Sequence, residues 1–157
     1  MENCGAIKFF KLFIKDTGEN AMVSDRILFL CTITKAVKRS LNIKSQKVYW
    51  SAKSMKHMYD KKPAEEFDFL LRNVVSLVKY PDSIFENRSG KKGNYVFTKI
   101  IKEVMYLCSV ETCESNYDEG QDETNFVVTA FRLRQGKESY LEKYKLLWSW
   151  KGDLPSS

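Results

Sequence analysis

The chain contains a single histidine, His57, inside the stretch from Lys53 to Pro63, KSMKHMYDKKP. Read as a helix, this stretch puts Met55, Met58 and Tyr59 on one apolar stripe at i, i+3, i+4 spacing and His57 near the opposite side. The neighbours of His57 on that side are Lys53, Asp60 and Lys61. An imidazole among cations with one carboxylate in reach can move protons beside a phosphate near neutral pH; the same pattern also describes a solvated surface histidine. From Lys35 to Lys62 the chain carries nine Lys or Arg and one acid, Asp60. Such a block reads as a phosphate-binding footprint. Lys53, Lys56, Lys61 and Lys62, with Arg88 and Lys92 further on, are the expected nucleic-acid contacts.

The elements that must hold these residues come from a chain of 157 residues, net charge +6, with 43% hydrophobic and 13% aromatic content. That length and composition point to one folded domain with a real core. Lys8, Lys11 and Lys15 interrupt the apolar residues of the amino terminus, so neither a signal-peptide core nor a membrane span is expected, and a cytosolic location follows. Four cysteines read as reduced thiols. Cys108 and Cys113 should point to opposite faces of a strand, and Cys4 and Cys31 lack ligand spacing, so neither a disulfide framework nor a zinc site is expected.

In chain order, Ile7 to Ile14 reads as a short helix or strand. A buried helix should open at Ser24 as N-cap and run through Ile27, Leu28, Leu30, Cys31, Val37 and Leu41. Val48 to Trp50 reads as a short strand leading into the His57 helix. After Pro63, acids at Glu65 and Glu66 suit a helix start, and Phe67, Leu70, Leu71, Val74, Val75 and Val78 trace one apolar face up to Tyr80-Pro81. Tyr95 to Ile101, Val104 to Val110 and Phe126 to Leu133 read as an antiparallel meander. Ser139 to Glu142 has the capping-box pattern that opens a short final helix. The expected class is therefore α+β, with N-terminal helices on one face of a C-terminal meander. An acidic run, including Glu111, Glu114, Asp118, Glu119, Asp122 and Glu123, reads as a solvated hairpin loop in preference to a metal-binding nuclease centre.

The order of these motifs, KHMYDKKP on a helix, then YPDSIFEN, a GKKGNYVFTK strand and a VVTAFRL strand, resembles the phage-associated branch of the barnase/EndoU/colicin/RelE-like nuclease superfamily. The resemblance covers Val48 to Lys151. It implies a core at 48–151 preceded by a helical extension at 1–47, a gene carried by phages or other mobile elements, and metal-independent RNA cleavage without a cofactor. His57 would match the helix histidine, Thr129 the small hydroxyl residue of the last strand, and Lys99 and Arg132 the basic positions. One histidine excludes a paired-histidine mechanism, and neither residues 1–47 nor the acidic hairpin belongs to the pattern.

Cleavage through the RNA 2′-hydroxyl needs that proton removed, the leaving oxygen protonated and the phosphorane charge stabilised, tasks an imidazole and Lys or Arg can meet. By strand alternation Thr129 should share a face with Val127 and Phe131, Lys99 one with Tyr95 and Phe97, and Arg132 should lie across its strand from Thr129. Each also has a purely structural reading, as a strand partner or a snorkelling edge cation. The substrate would be RNA, including a structured RNA such as tRNA. A catalytically silent nucleic-acid-binding module, or a protein-binding one with Trp148 and Trp150 as anchors, fits the same sequence.

Overall fold

The computed structural model describes residues 4–87, 94–114 and 123–151. Four helices, α1 (Cys4–Phe13), α2 (Lys35–Leu41), α3 (Ala52–Lys61) and α4 (Ala64–Lys79), accompany seven strands. The strands are β1 (Ile27–Thr32), β2 (Lys47–Ser51), β3 (Ser83–Glu86), β4 (Tyr95–Ile101), β5 (Val104–Glu114), β6 (Glu123–Arg132) and β7 (Lys145–Ser149). They form one sheet in the order β1-β2-β6-β5-β4-β3-β7. Every pairing is antiparallel except β2 with β6, so the fold is α+β. No helix among the described residues is long and apolar enough to cross a membrane.

The segment expected as one helix from Ser24 to Leu41 is a strand followed by a short helix. Ile27 to Thr32 is a continuous apolar run that satisfies helical spacing and a buried strand equally well. Pairing with β2 decides the matter, for Leu28 sits opposite Trp50 and Cys31 opposite Val48. The helix starts only after Thr34, whose hydroxyl accepts the Val37 N–H at 3.2 Å, and stops at Asn42 in the left-handed region with φ 55°. The expected helical extension at 1–47 is thus helical only in part: besides α1 and α2 it supplies β1, an outer strand of the sheet itself. Similarly, Ser139 to Glu142 does not open a final helix. A 3-10 turn at Glu138–Leu141 with no side-chain cap leads into β7, which pairs with β3. Both are short strands with little internal periodicity, and only pairing makes them visible.

The α4 face forms as its periodicity predicts. Phe67, Leu70, Leu71, Val74 and Val78 are buried, with Leu77 beside them, while Val75 is only partly buried. They pack with Trp50, Phe97, Cys108, Val110, Val127 and Ala130 of the sheet and Met55 and Met58 of α3. Phe69 of α4 stacks on Tyr106 of β5 with centroids 4.6 Å apart. Truncating a fully buried leucine such as Leu70 removes about 2–5 kcal/mol.

A bulge in β6 sets what faces away from this core. Ser109 pairs with Thr129 but its neighbour Val110 pairs with Val127, so the ladder skips Val128. One extra residue exchanges the faces of everything beyond it. Val127 therefore belongs to the core, whereas Thr129 and Phe131 point out of the opposite face, correcting the expected common face of Val127 and Thr129. The second relevant break lies at β2, which meets β6 only at Val48–Asn125 and Tyr49–Phe126. Ser51 then caps α3, its hydroxyl accepting the Ser54 N–H at 3.1 Å, and α3 packs against β6.

Candidate functional site

Beyond the bulge, the carboxyl half of β6 forms a wall of a cleft of about 560 Å³. Thr129 and Phe131 come from the strand itself, and Arg132 and Arg134 from its end. The α3–α4 connection contributes Lys61, Lys62 and Pro63, followed by Glu66 from the first turn of α4. Val96, Ser109 and Asn87 form the floor, and Tyr140 and Tyr144, flanking the end of the 3-10 turn, close the far side. Among the described residues four cations and one carboxylate therefore line a single cavity of ligand-binding size.

The charged groups hold defined positions. Lys62 Nζ lies 3.7 Å from Glu66 Oε2, one turn along, and 5.3 Å from the Phe131 ring centroid. Phe131 meets Tyr140 edge-on at 6.1 Å, and the Tyr144 hydroxyl donates to that of Tyr140 at 3.4 Å. Lys143 Nζ sits 4.4 Å from the Tyr140 centroid and 5.1 Å from that of Tyr144. On the core side of the rim, burial raises the Tyr106 pKa, with the Arg132 guanidinium opposing and the Glu66 carboxylate reinforcing. Both charges thus act at the point where α4 meets the ends of β5 and β6.

Of the residues expected from sequence, Thr129, Arg132, Lys61 and Lys62 come together in this cleft. Arg132 pairs with Tyr106 across the ladder, on the other side of its strand from Thr129, yet its position at the strand end lets both line one cavity. Lys99 lies elsewhere. It donates to the Tyr80 carbonyl at 2.6 Å and stands 4.0 Å from Asp82 Oδ1, tying β4 to the end of α4. Alternation is the reason, since Lys99 follows Tyr95 and Phe97 while Val96, one residue out of phase, faces the cleft.

His57 is exposed, and its side chain makes no hydrogen bond or ion pair with a described residue. It lies outside the cleft lining, one helical turn before Lys61, about 6 Å along the axis. Asp60, expected beside it, turns away to accept from Lys56 at 2.6 Å and from the Asn20 N–H at 3.0 Å. Lys56 is buried and also donates to the Gly18 carbonyl at 2.6 Å, so its cation is not available to a phosphate as the sequence suggested. Lys53 remains exposed. Arg88 and Lys92 lie outside the described residues, as do Asp118, Glu119 and Asp122 of the acidic run.

Sequence reasoning missed Glu66, Arg134, Tyr140 and Tyr144. Glu66 looked like a helix-dipole acid, and Tyr140 and Tyr144 fell in the expected final helix that opens at Ser139. The available signal was Arg132-Leu133-Arg134, two guanidinium groups spaced to leave a strand end on one side. Thiol chemistry finds no support: burial pushes Cys31 up to about 12 and raises Cys108 further, while Cys113 is raised to a lesser degree. Among the described residues no group of three or more His, Cys, Asp or Glu could hold a metal ion. Trp148 packs against the core, and Trp150 is exposed. No family model, curated protein or solved structure matches this chain.

Proposed function

We propose that the chain is an RNA endonuclease that works without a metal ion and cleaves through the 2′-hydroxyl in the cleft at the end of β6. The observation carrying this reading is the lining itself: Lys61, Lys62, Arg132 and Arg134 converge on one cavity that also holds a carboxylate and hydroxyl groups. Cations fixed around a dianionic phosphorane stabilise it more than the monoanionic ground state. Glu66, kept by Lys62 at the mouth of α4, takes the 2′-hydroxyl proton, and the hydrogen-bonded Tyr140–Tyr144 pair supplies the proton for the leaving oxygen. Thr129 and Ser109 donate to the phosphate or the sugar from the floor.

In this reading His57 is not the principal proton-transfer group, because it stands outside the cleft with nothing to orient it. The second reading, a module that holds RNA without cutting it, draws on the same exposed, unoriented histidine. Purified protein incubated with labelled RNA in EDTA separates the two. Discrete cleavage products ending in cyclic phosphate support the nuclease. Tight, salt-sensitive binding with intact RNA supports the module, and neither cleavage nor binding removes both.

A further inference from the structure

We propose that α2 and the turn after it form a second polynucleotide-binding surface, on the far side of the sheet from the cleft. Lys35, Lys38 and Arg39 stand at i, i+3 and i+4 on α2, away from the buried Val37 and Leu41. They border a depression with Asn42 and Gln46, which continues past Lys38 to the exposed Lys44 and Lys47. Among the described residues no carboxylate lines either part, and the Glu123 carboxylate stands at its margin, accepting the Lys44 N–H at 3.0 Å. The Tyr95 hydroxyl donates to the Leu41 carbonyl at 3.2 Å, so α2 sits on the face of β4 that carries Tyr95, whereas the next residue, Val96, faces the cleft.

Local helix stability does not account for this charge. Lys38 and Arg39 suit the last turn of α2, but Lys35 occupies the first turn, where the helix dipole disfavours a cation. Lys35 and Arg39 are also like charges one turn apart. A seven-residue helix with three cations and no acid is therefore charged against its own stability, which an external polyanion would repay. Its chemistry selects nucleic acid over an acidic protein. A protein interface is organised around buried apolar or aromatic anchors, and the only large apolar side chain among the described residues here, Ile43, is already buried. Asn42, Gln46, Ser45 and Thr32 interleave with the cations, the mixture that contacts phosphates and sugars. A strand of a few nucleotides fills one site alone; a long or folded polynucleotide reaches both faces. This surface acts whether the cleft cuts RNA or only holds it.

The test compares wild type with the Lys35→Glu, Lys38→Glu, Arg39→Glu triple variant, using labelled RNAs of about four and about forty nucleotides across a salt series. For the long RNA, affinity should drop about tenfold or more and the slope of log K against log salt should flatten by about 2. Binding of the short RNA should stay within about twofold, because it occupies the cleft. The corresponding triple alanine variant, which adds no repulsion, should shift in the same direction. Unchanged long-RNA affinity and slope in either folded variant overturns the proposal, as does equal loss for both RNA lengths. If polyglutamate binds wild type more tightly than the long RNA does and loses that binding in the variants, the surface is a protein-docking site instead.

Discussion

Lys56 and Asp60, one turn apart on α3, form a 2.6 Å ion pair that also fastens a distant loop to the helix. The same ammonium reaches the Gly18 carbonyl, and the same carboxylate accepts the Asn20 N–H, so residues otherwise far apart in sequence are tied at two points. This pair explains why the densest basic stretch of the chain presents fewer free cations than its composition suggests.

Replacing Lys56 by Met should lower the melting temperature by several degrees and speed hydrogen exchange at the Asn20 amide. The hydrogen bond from Lys56 holds the Asp60 carboxyl below its ordinary 3.8, with desolvation opposing. A depressed carboxyl stabilises the fold above its unfolded pKa, and the contribution disappears as pH falls through the folded value. The gap in melting temperature between wild type and variant should therefore be widest near neutrality and close as pH drops below 3.8. A gap independent of pH would mean that the pair contributes only packing.

At Arg132, substitution by Ala should reduce RNA cleavage by roughly a hundredfold or more, mainly in kcat, with the far-UV circular dichroism spectrum unchanged. Lysine at the same position should recover only part of the rate, since it lacks the planar fork that meets two phosphate oxygens. Full recovery by lysine would reduce Arg132 to a point charge.

Glu66 and His57 separate the cleft from the exposed helix face as the place of proton transfer. Glu66→Gln should lower cleavage about a hundredfold. His57→Ala should change cleavage by no more than about threefold and stability by less than about 1 kcal/mol, because an exposed side chain without partners leaves no cavity. The reverse ranking would return the mechanism to His57 and require substrate to extend along α3.

Cys31 and Cys108 should resist alkylation by iodoacetamide in the folded protein at pH 8 and react once the chain is unfolded, as read by intact mass. Burial raises both thiols, Cys31 to about 12, so the folded state carries almost no thiolate. Above the ordinary thiol value of 9.0 only the unfolded chain ionises there, and these groups make the fold less stable as pH rises further. Rapid labelling of Cys108 under native conditions would mean that the core around β5 opens readily.

Much of the architecture is local enough to be legible in the chain. The α4 stripe from Phe67 to Val78, the Met55–Met58 side of α3 and strands β4, β5 and β6 follow from side-chain period and β-branched content, and these carry the α+β class. Residues 27–32 do not, because a continuous apolar run has no period and its state depends on the edge offered by β2. Nor do β3 and β7, whose few residues become strands by pairing, β3 with β4 and β7 with β3.

The candidate site divides along the same line. Residue type marked Thr129, Arg132, Lys61 and Lys62 as capable of meeting a phosphate, and the sequence alone determined the inventory: one histidine, a dense block of cations and hydroxyls near strand ends. Which of these share a cavity depended on features that exist only in three dimensions. Skipping Val128 turns Thr129 out of the core; the early end of β2 puts α3 beside β6; and the Asp60 carboxylate withdraws Lys56 from the surface. A one-residue change of register moves a side chain to the other face, and the Lys56–Asp60 pair is buried only by Gly18 and Asn20 of a remote loop, so neither outcome leaves a trace in local spacing.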